Sequence, residues 1–501
     1  MSGKIAGLPP SWAETRIREI AIVNPSGSTV STTDETTVSF IPMAAVAELN
    51  GSVDLSDRRP FGVVKKGFTR FKNEDLIVAK ITPSMENGKA AVVRGLEGGI
   101  GCGSTEFHVI RSECGVEPDY LRYFVTQSGF RQEAKQNMQG AVGQQRVPAG
   151  FIRDAVIPVA PSLEQQRIVS KIEELFSSIA EGERALEQVR KLVQHYRQSV
   201  LKAAVTGELT REWREKHAGE LESGESLLTR ILEARRKAWE KSELDKMRAK
   251  GQRPVGNDWK KRYKKPVPPD TSQLPEAPKG WVWVNFDHVS ECLDFARVPI
   301  NRTVRATRRG DVPYYGANGQ VGTIDQFLFD EPLVLVVEDE TFTGRTKPFS
   351  YKIEGKSWVN NHAHILRPTN ETNIDFLNAV LMRYPFIPLT KGTTARRKLT
   401  QQSLMSAPVA VPSIAEQEQI VAAIEDVFSS LCPVEVEAEN AATVIRGLRQ
   451  TILREAFLGT LVPQDADDES ASILLERIAA ERVASPKRVG TKPVRKKKVK
   501  A

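Results

Sequence analysis

Several stretches hold residue types that catalysis uses, and none completes a catalytic set. Residues 337–341 read "VEDET". Acids at the end of an apolar run could bind a divalent cation and activate water, as in a metal-dependent nuclease, with Lys347 close by. A nuclease also needs further acids, and one acidic run after an apolar strand is more often a solvated turn. His362 and His364, in "NNHAH", alternate onto one strand face and could begin a metal site. Without a third ligand a structural role is expected, as for His108 in a similar run of the first half. "NPSG" at 24–27 lacks the second proline and the aromatic residue of an adenine methyltransferase's N-P-P-Y-like motif, and reads as a turn. "GVVKKGFT" at 62–69 has Phe68 where a phosphate-binding loop requires lysine. Cys102, Cys114, Cys292 and Cys432 form no C-x-x-C pair. The expectation is a chain with no catalytic residue, no metal and no cofactor of its own.

Charge narrows the choice of partner. The net charge is +8, but residues 486–501 hold eight Lys/Arg and no acid, leaving 63 basic against 63 acidic residues before them. The body is neutral on balance, so any affinity for a polyanion must come from local patches. The tail reads as a disordered, solvated arm, with weak contact to phosphates as the sharper option. No run of 18 apolar residues occurs, and the opening "MSGKIAGLPPSW" has no apolar signal core. A reducing cytoplasm is the expected location.

The elements that must position any site are set by an internal repeat. Aligning each residue with the one 252 later needs no gap from Glu164/Glu416 to Leu209/Leu461, and 17 of those 46 pairs are identical. In the first copy Ile168, Ile172, Leu175, Ile179, Leu186, Val189, Val193, Tyr196 and Val200 follow alternating steps of four and three, with one step missing at Gly182. In the second, Ile420, Ile424, Val427, Leu431, Val434, Ala438, Ala441, Ile445, Leu448 and Ile452 do the same. That spacing keeps one stripe facing one partner helix. Two copies in register favour mutual antiparallel packing over burial in separate cores. Forty helical residues span about 60 Å, which suits a spacer. Pro433, facing Glu181 beside Gly182, predicts a kink or break there in both copies. A shorter echo pairs "GESLLTRILEARR" (224–236) with "ASILLERIAAER" (471–482).

Between the helices lie two segments of common outline. Each opens on Pro and Trp, "GLPPSW" (7–12) and "QLPEAPKGW" (273–281). Strands are predicted at 75–84, 90–95 and 106–112 in the first, and at 333–340 and 363–368 in the second, after the Gly-rich turn region 312–322. Each ends in a helical stretch and a glycine-led loop, "GAVGQQRVP" (140–148) and "GTTARRKLT" (392–400), with Gly140 and Gly392 again 252 apart. Elsewhere the two segments differ greatly.

The order module, helix, module, helix resembles the specificity subunit of type I restriction-modification systems. The resemblance rests on "EQQRIVSKIEELF" and "EQEQIVAAIEDVF", on the endings "RQSVLKAAVTGELT" and "RQTILREAFLGTL", and on "PYYGANG" and "WVNNHAHIL". It covers essentially the whole chain. It implies an α+β protein: two mixed α/β target-recognition domains separated by two long helical spacers packed as an antiparallel coiled coil, with pseudo-two-fold symmetry. The expected domains are target-recognition domains at 1–158 and 271–412. A central spacer with a basic Pro-rich linker occupies 159–270, a distal spacer 413–485 and a basic tail 486–501. The implied role is non-catalytic: to read a bipartite, asymmetric site on double-stranded DNA and dock two adenine-N6 methyltransferase subunits, which bring S-adenosylmethionine. Up to two motor-nuclease subunits, using ATP and Mg²⁺, join where the system includes them. The rival reading is a stand-alone DNA-binding or scaffold protein that self-associates through its coiled coil.

Base reading needs Arg for guanine and Asn or Gln for adenine on loops that enter a groove, whereas phosphate contact needs only charge and polar donors. In the first module the candidates are Lys80, Thr82, Ser84, Asn87 and Lys89 after the apolar strand, Arg58 and Arg59, and Gln144, Gln145 and Arg146 in the glycine-led loop. In the second they are Arg302, Arg305, Arg308 and Arg309, then Tyr314, Asn318 and Gln320, and Thr393, Thr394, Arg396, Arg397 and Lys398 in the matching loop.

Overall fold

The computed structural model describes residues 7–141, 143–249, 256–340, 342–392 and 397–484. The chain forms two compact units, Met1–Leu186 with Asn440–Ala501, and Glu187–Glu439. Each combines one β-rich module with a part of each long helix.

The modules share a topology that their sequences hide. In the first unit one antiparallel sheet runs Ala21–Val23, Phe107–Ser112, Asp75–Ala79, Ala90–Val92. A second runs Arg58–Pro60, Thr37–Ile41, Ile100–Gly103, Thr69–Lys72, with its middle pair parallel. The second unit repeats both, as Ser290–Cys292, Ala363–Pro368, Leu333–Val337, Ser350–Ile353, and as Gly319–Ile324, Val312–Gly316, Lys356–Val359, Phe329–Asp330. The apolar runs at 75–79 and 333–337 are buried along their whole length. Strand alternation explains how: Leu76 and Val78 face the core shared with the helices, and Ile77 faces the core around Phe71 and Phe107. Val334 and Val336 against Leu333 and Leu335 repeat this.

The long helices are Ser162–Val205 and Ile414–Leu458, of 44 and 45 residues. Pro433 lies inside the second without ending it, so of the kink or break expected there the break does not occur. Pro433 removes the partner of the Ser429 carbonyl, but both residues lie on an exposed stretch where water can satisfy it. Both helices stop just before a glycine, Gly207 and Gly459, with φ +74° and +73°. A Cβ on Gly207 would strike Pro278, and one on Gly459 would strike Pro9. The Pro/Trp openings therefore seat on helix ends.

The helices pack antiparallel within each unit, through contacts that recur 252 residues apart. In the second unit Arg197 lies over Phe428 at 4.8 Å and pairs with Glu435 at 2.9 Å. In the first, Arg449 lies over Phe176 at 5.9 Å and pairs with Glu183 at 3.0 Å. Ile168, Ile172, Ile179, Val193, Val200, Ile420, Ile424 and Ile452 are buried, and Leu175, Leu186, Val189, Val427, Leu431 and Ile445 half-buried. Tyr196 and Leu448, 52% and 39% exposed, do not belong to the seam. The neighbouring arginine takes the seam position in both copies, because its guanidinium can stack on a ring and still reach a carboxylate.

The echo at 224–236 and 471–482 is also a duplication in space. Helices Gly224–Ala249 and Ala471–Ala484 bury Leu227 with Ile231, and Leu474 with Ile478. Arg235 Nε donates to the Asp287 carbonyl and Arg482 Nη1 to the matching Arg18 carbonyl, each at 2.6 Å.

Candidate nucleic-acid interface

The identical Glu-Gln pairs at the helix starts are buried joints. Gln165 Nε2 donates to the Ala160 carbonyl at 2.8 Å and its Oε1 accepts from Glu117 N at 3.0 Å. Gln417 does the same with Pro412 and Asn373, at 2.9 and 2.7 Å. Glu117 and Asn373 are the N-caps of the module helices Pro118–Thr126 and Ile374–Met382. One amide per module thus ties module helix to spacer helix. Beside it, Glu164 accepts from Trp12 Nε1 at 3.0 Å, and Glu416 from Thr210 Oγ1 at 2.7 Å. Burial pushes the Glu164 carboxyl up.

From the far end of each central strand hangs the glycine-led loop. Val147 N donates to the Lys80 carbonyl and Leu399 N to the Glu338 carbonyl, both at 2.8 Å. Ladder pairing joins Arg146 to Ile81 and Gln139, and Lys398 to Asp339 and Lys391. Gly140 and Gly392 turn at φ +122° and +119°. A Cβ at Gly140 would sit 3.0 Å from the Gln144 carbonyl.

A buried histidine holds each loop from below, and here the modules diverge. His108 Nε2 donates to the Val147 carbonyl at 2.8 Å and His364 Nε2 to the Leu399 carbonyl at 2.9 Å. Behind His108 stands Asn24, whose Oδ1 accepts from Val109 N and whose Nδ2 therefore donates to His108 Nδ1 at 3.0 Å. That geometry fixes a neutral ring, and burial pushes its pKa down. Behind His364 stands Asp294, 2.5 Å from Nδ1, with Ile365 N on its other oxygen. Both ring nitrogens of His364 thus face oxygens, Asp294 on one side and the Leu399 carbonyl on the other. Arg297 lies 3.1 Å from Asp294 and 2.5 Å from Glu338, and Lys398 lies 2.9 Å from Glu338. Burial acts to raise the Asp294 and Glu338 carboxyls, but the surrounding His364, Arg297 and Lys398 bring both below their ordinary values.

These contacts settle two stretches flagged for chemistry. Glu338 of "VEDET" spends its carboxylate on two cations, and Asp339 pairs with His362 at 2.7 Å, so neither is poised as a nuclease acid. Cys292, Asp294 and His364 place potential ligand atoms within 4.8 Å of one another. The Cys292 thiol is pushed up to about 12 by burial, and Arg297 already compensates Asp294, so these donors suit a hydrogen-bonded anchor better than a metal.

Most of the polar candidates are engaged within the protein. Arg58 pairs with Glu97 at 3.0 Å; Arg59 pairs with Asp57 at 2.8 Å and stacks on Phe40 at 3.7 Å. Thr82 Oγ1 donates to Glu86, Asn87 to Glu48, and Lys89 to the Met43 carbonyl. The Ser84 carbonyl accepts from Lys89 N, so 80–89 is a self-braced turn. Arg146 pairs with Glu106 at 2.8 Å; Gln145 gives its carbonyl to Thr82 N; Gln144 is exposed. Arg397 is turned back onto Thr390 and the Ile387 carbonyl. Asn318 accepts from Arg345 at 2.7 Å, and Gln320 donates to the Gly322 carbonyl. Tyr314 is corrected outright: it is 1% exposed, packed with Ile324 and Trp358, because strand alternation points it inward. Thr393, Thr394 and Arg396 lie outside the described residues.

Four arginines do gather. Arg302, Arg305, Arg308 and Arg309 line a notch of about 440 Å³ with Gly322 and Thr323. Arg305 lies over Tyr314 at 4.6 Å, and Arg308 over Trp358 at 4.8 Å while paired with Asp325. Arg302 and Arg309 are exposed, with no carboxylate partner among the described residues. Lys80, likewise without one, lines a notch of about 400 Å³ with Lys65, Phe68 and Arg70 in the first module.

Sequence reasoning missed the Arg-Phe-Glu contacts and the Asn24 and Asp294–Arg297 supports. The former were detectable, since Phe176/Phe428, Glu183/Glu435 and Arg197/Arg449 are all identical pairs. The latter differ between the modules and carry no such mark.

No helix among the described residues is long and apolar enough to cross a membrane. The family model of the type I restriction modification DNA specificity domain matches residues 9–190 and 278–435. The EcoEI type I restriction enzyme specificity subunit of Escherichia coli is 25% identical over 495 residues, covering 84% of this chain and 78% of its own length. A structure from work on assembly and conformational transition of the type I R-M system aligns with TM-score 0.61 at 18% identity, over 91% of this chain and 99% of the other. The HsdS subunit from Thermoanaerobacter tengcongensis aligns with TM-score 0.53, also at 18%, over 92% of this chain and 100% of the other. The duplicated helices, the paired modules and these matches lead to one conclusion: the chain belongs to the family of type I restriction-modification DNA specificity subunits, the non-catalytic DNA-recognition component of those systems.

Proposed function

We propose that the two modules, 1–158 and 271–412, each read one half of a bipartite, asymmetric duplex site, and that the spacer helices dock two adenine-N6 methyltransferase subunits. The observation that carries this reading is one topology built twice with different loop chemistry. Equivalent joints at Gln165 and Gln417 seat two unlike readers on like struts. Arg302 and Arg309 are the best-placed residues of the second module, and Lys80 and Gln144 of the first. S-adenosylmethionine belongs to the methyltransferase partners. ATP and Mg²⁺ belong to motor-nuclease subunits where the system has them. The cytoplasm, where DNA and these cofactors meet, is the working location.

Two experiments test it. Co-purification should recover a partner carrying the methyltransferase motifs absent here, and methylated-adenine mapping with and without this chain should give a split consensus. Removing one heptad from each long helix should alter or abolish recognition of that consensus while each unit stays folded. An unchanged spacing preference, or a chain that purifies without a methyltransferase, sinks the reading in favour of a self-associating DNA-binding protein.

A further inference from the structure

The neutral body conceals a concentrated patch. Residues 235–265 carry thirteen Lys/Arg against four Asp/Glu, a net of +9, above the +8 of the whole chain. With eight further cations in 486–501, the remainder, both modules included, is net acidic.

The described part of this stretch is a built element. The helix Gly224–Ala249 runs for 26 residues, on past those that match Ala471–Ala484. The short turn Asp258–Arg262 is held against it by an aromatic brace, Trp239 on Trp259 at 6.0 Å and on Tyr263 at 5.3 Å. Arg235 donates to Tyr263 Oη at 3.1 Å, and Glu240 pairs with Arg236 at 3.1 Å and Lys260 at 2.9 Å. Asn285 Nδ2 donates to the Val267 carbonyl at 3.0 Å, which ties the following chain to the second module.

The brace uses up the aromatic surface and three of the cations, Arg235, Arg236 and Lys260. Lys237, Lys241, Arg262, Lys264 and Lys265 are left exposed, none with a carboxylate partner among the described residues. Lys237 and Lys241 lie one turn apart on one helix face. A protein partner would normally find an apolar centre in such a patch. Here Trp259 is buried, at 8% exposure, and what faces water is charge on flexible stems. That chemistry fits a regularly spaced polyanion, whose condensed counterions are released on contact.

We propose that this braced extension is a sequence-independent clamp for the phosphate backbone of duplex DNA. It rests on the chain's role in DNA recognition and adds a contact outside the base-reading loops. It supplies affinity and a salt-dependent on-rate without choosing bases.

The test uses the full chain with its co-purified partners. Lys237, Lys241, Arg262, Lys264 and Lys265 are all changed to Gln in one variant and, where they are Lys, to Arg in a control. Binding to the selected duplex and to a scrambled duplex is measured across salt. The Gln variant should lose about tenfold or more on both duplexes, with the selected-to-scrambled ratio unchanged, and its log K against log salt slope should fall by several, about 0.9 per lost phosphate contact. The Arg control should keep the wild-type slope. An unchanged slope overturns the proposal, as does a changed ratio, which would make these base-reading residues. Loss of the co-purifying protein with DNA binding intact also overturns it, in favour of an acidic protein partner. The wild type's preference for the selected duplex checks the underlying recognition role separately.

Discussion

In the first module the glycine-led loop hangs from a neutral histidine backed by an amide. In the second the matching loop hangs from a histidine set among Asp294, Glu338, Arg297 and Lys398. The strand order, the loop ladder and the histidine's bond to the loop carbonyl are the same. What changed is the material behind the anchor. Position 80 is lysine in one module and its structural counterpart 338 is glutamate in the other. A fold can therefore keep its geometry while the charge beneath a reading surface inverts, and two readers of one ancestry can come to face different bases.

The sharpest way to break this comparison is to remove the charge that only one module has. Arg297→Met leaves the Asp294 and Glu338 carboxylates short of a cation in a largely buried setting. It should cost the second unit about 3 kcal/mol or more, read as loss of hydrogen-exchange protection in 333–337 and 363–368. His108→Ala in the first unit removes one neutral anchor and should cost about 1–3 kcal/mol. Equal losses would mean the charged network adds nothing.

Acid separates the modules by the pH window in which each loses stability. The His108 pKa is lowered in the folded state, so its contribution is present above the ordinary histidine value and is lost as pH falls below it. Asp294 and Glu338 are also lowered, but from carboxylate values, so their contribution persists until pH falls through their folded values. Between pH 7 and 5.5 the strand 107–112 should lose protection, corrected for intrinsic exchange, while 363–368 holds. Simultaneous loss would contradict the separate roles of His108 and of the Asp294 and Glu338 carboxylates.

Smaller effects sharpen the duplication itself. Gly140→Ala, at positive φ and near the Gln144 carbonyl, should cost about 1–2 kcal/mol, confined to 139–147. Arg197→Ala and Arg449→Ala should each cost about 1 kcal/mol, since a half-exposed ion pair and a ring contact are lost in each. Thermal melts giving clearly unequal losses would show that the two seams are not equivalent.

The helices were legible because their pattern is local and present twice. Even so, a heptad rule placed Tyr196 and Leu448 in the seam, since apolar spacing does not anticipate an arginine that stacks and pairs at once. Sequence alone left a kink or a break open at Pro433; the break is avoided because a proline on a solvated face costs a carbonyl only its protein partner. The shared topology of the modules was hidden, because strands of similar burial tolerate unrelated apolar residues. The polar candidates were least legible: Thr82, Asn87, Arg146 and Arg397 are the types that read DNA, and also the types that brace turns. Only coordinates distinguish a spent donor from an open one.

The central claim is that each module reads its own half of the site. The direct measurement is a binding-site selection on the assembled complex with Arg302→Ala and Arg309→Ala together, against wild type. The account predicts relaxed preference in one half of the consensus, with the other half and the spacing unchanged. Relaxation in both halves, or in neither, would contradict it.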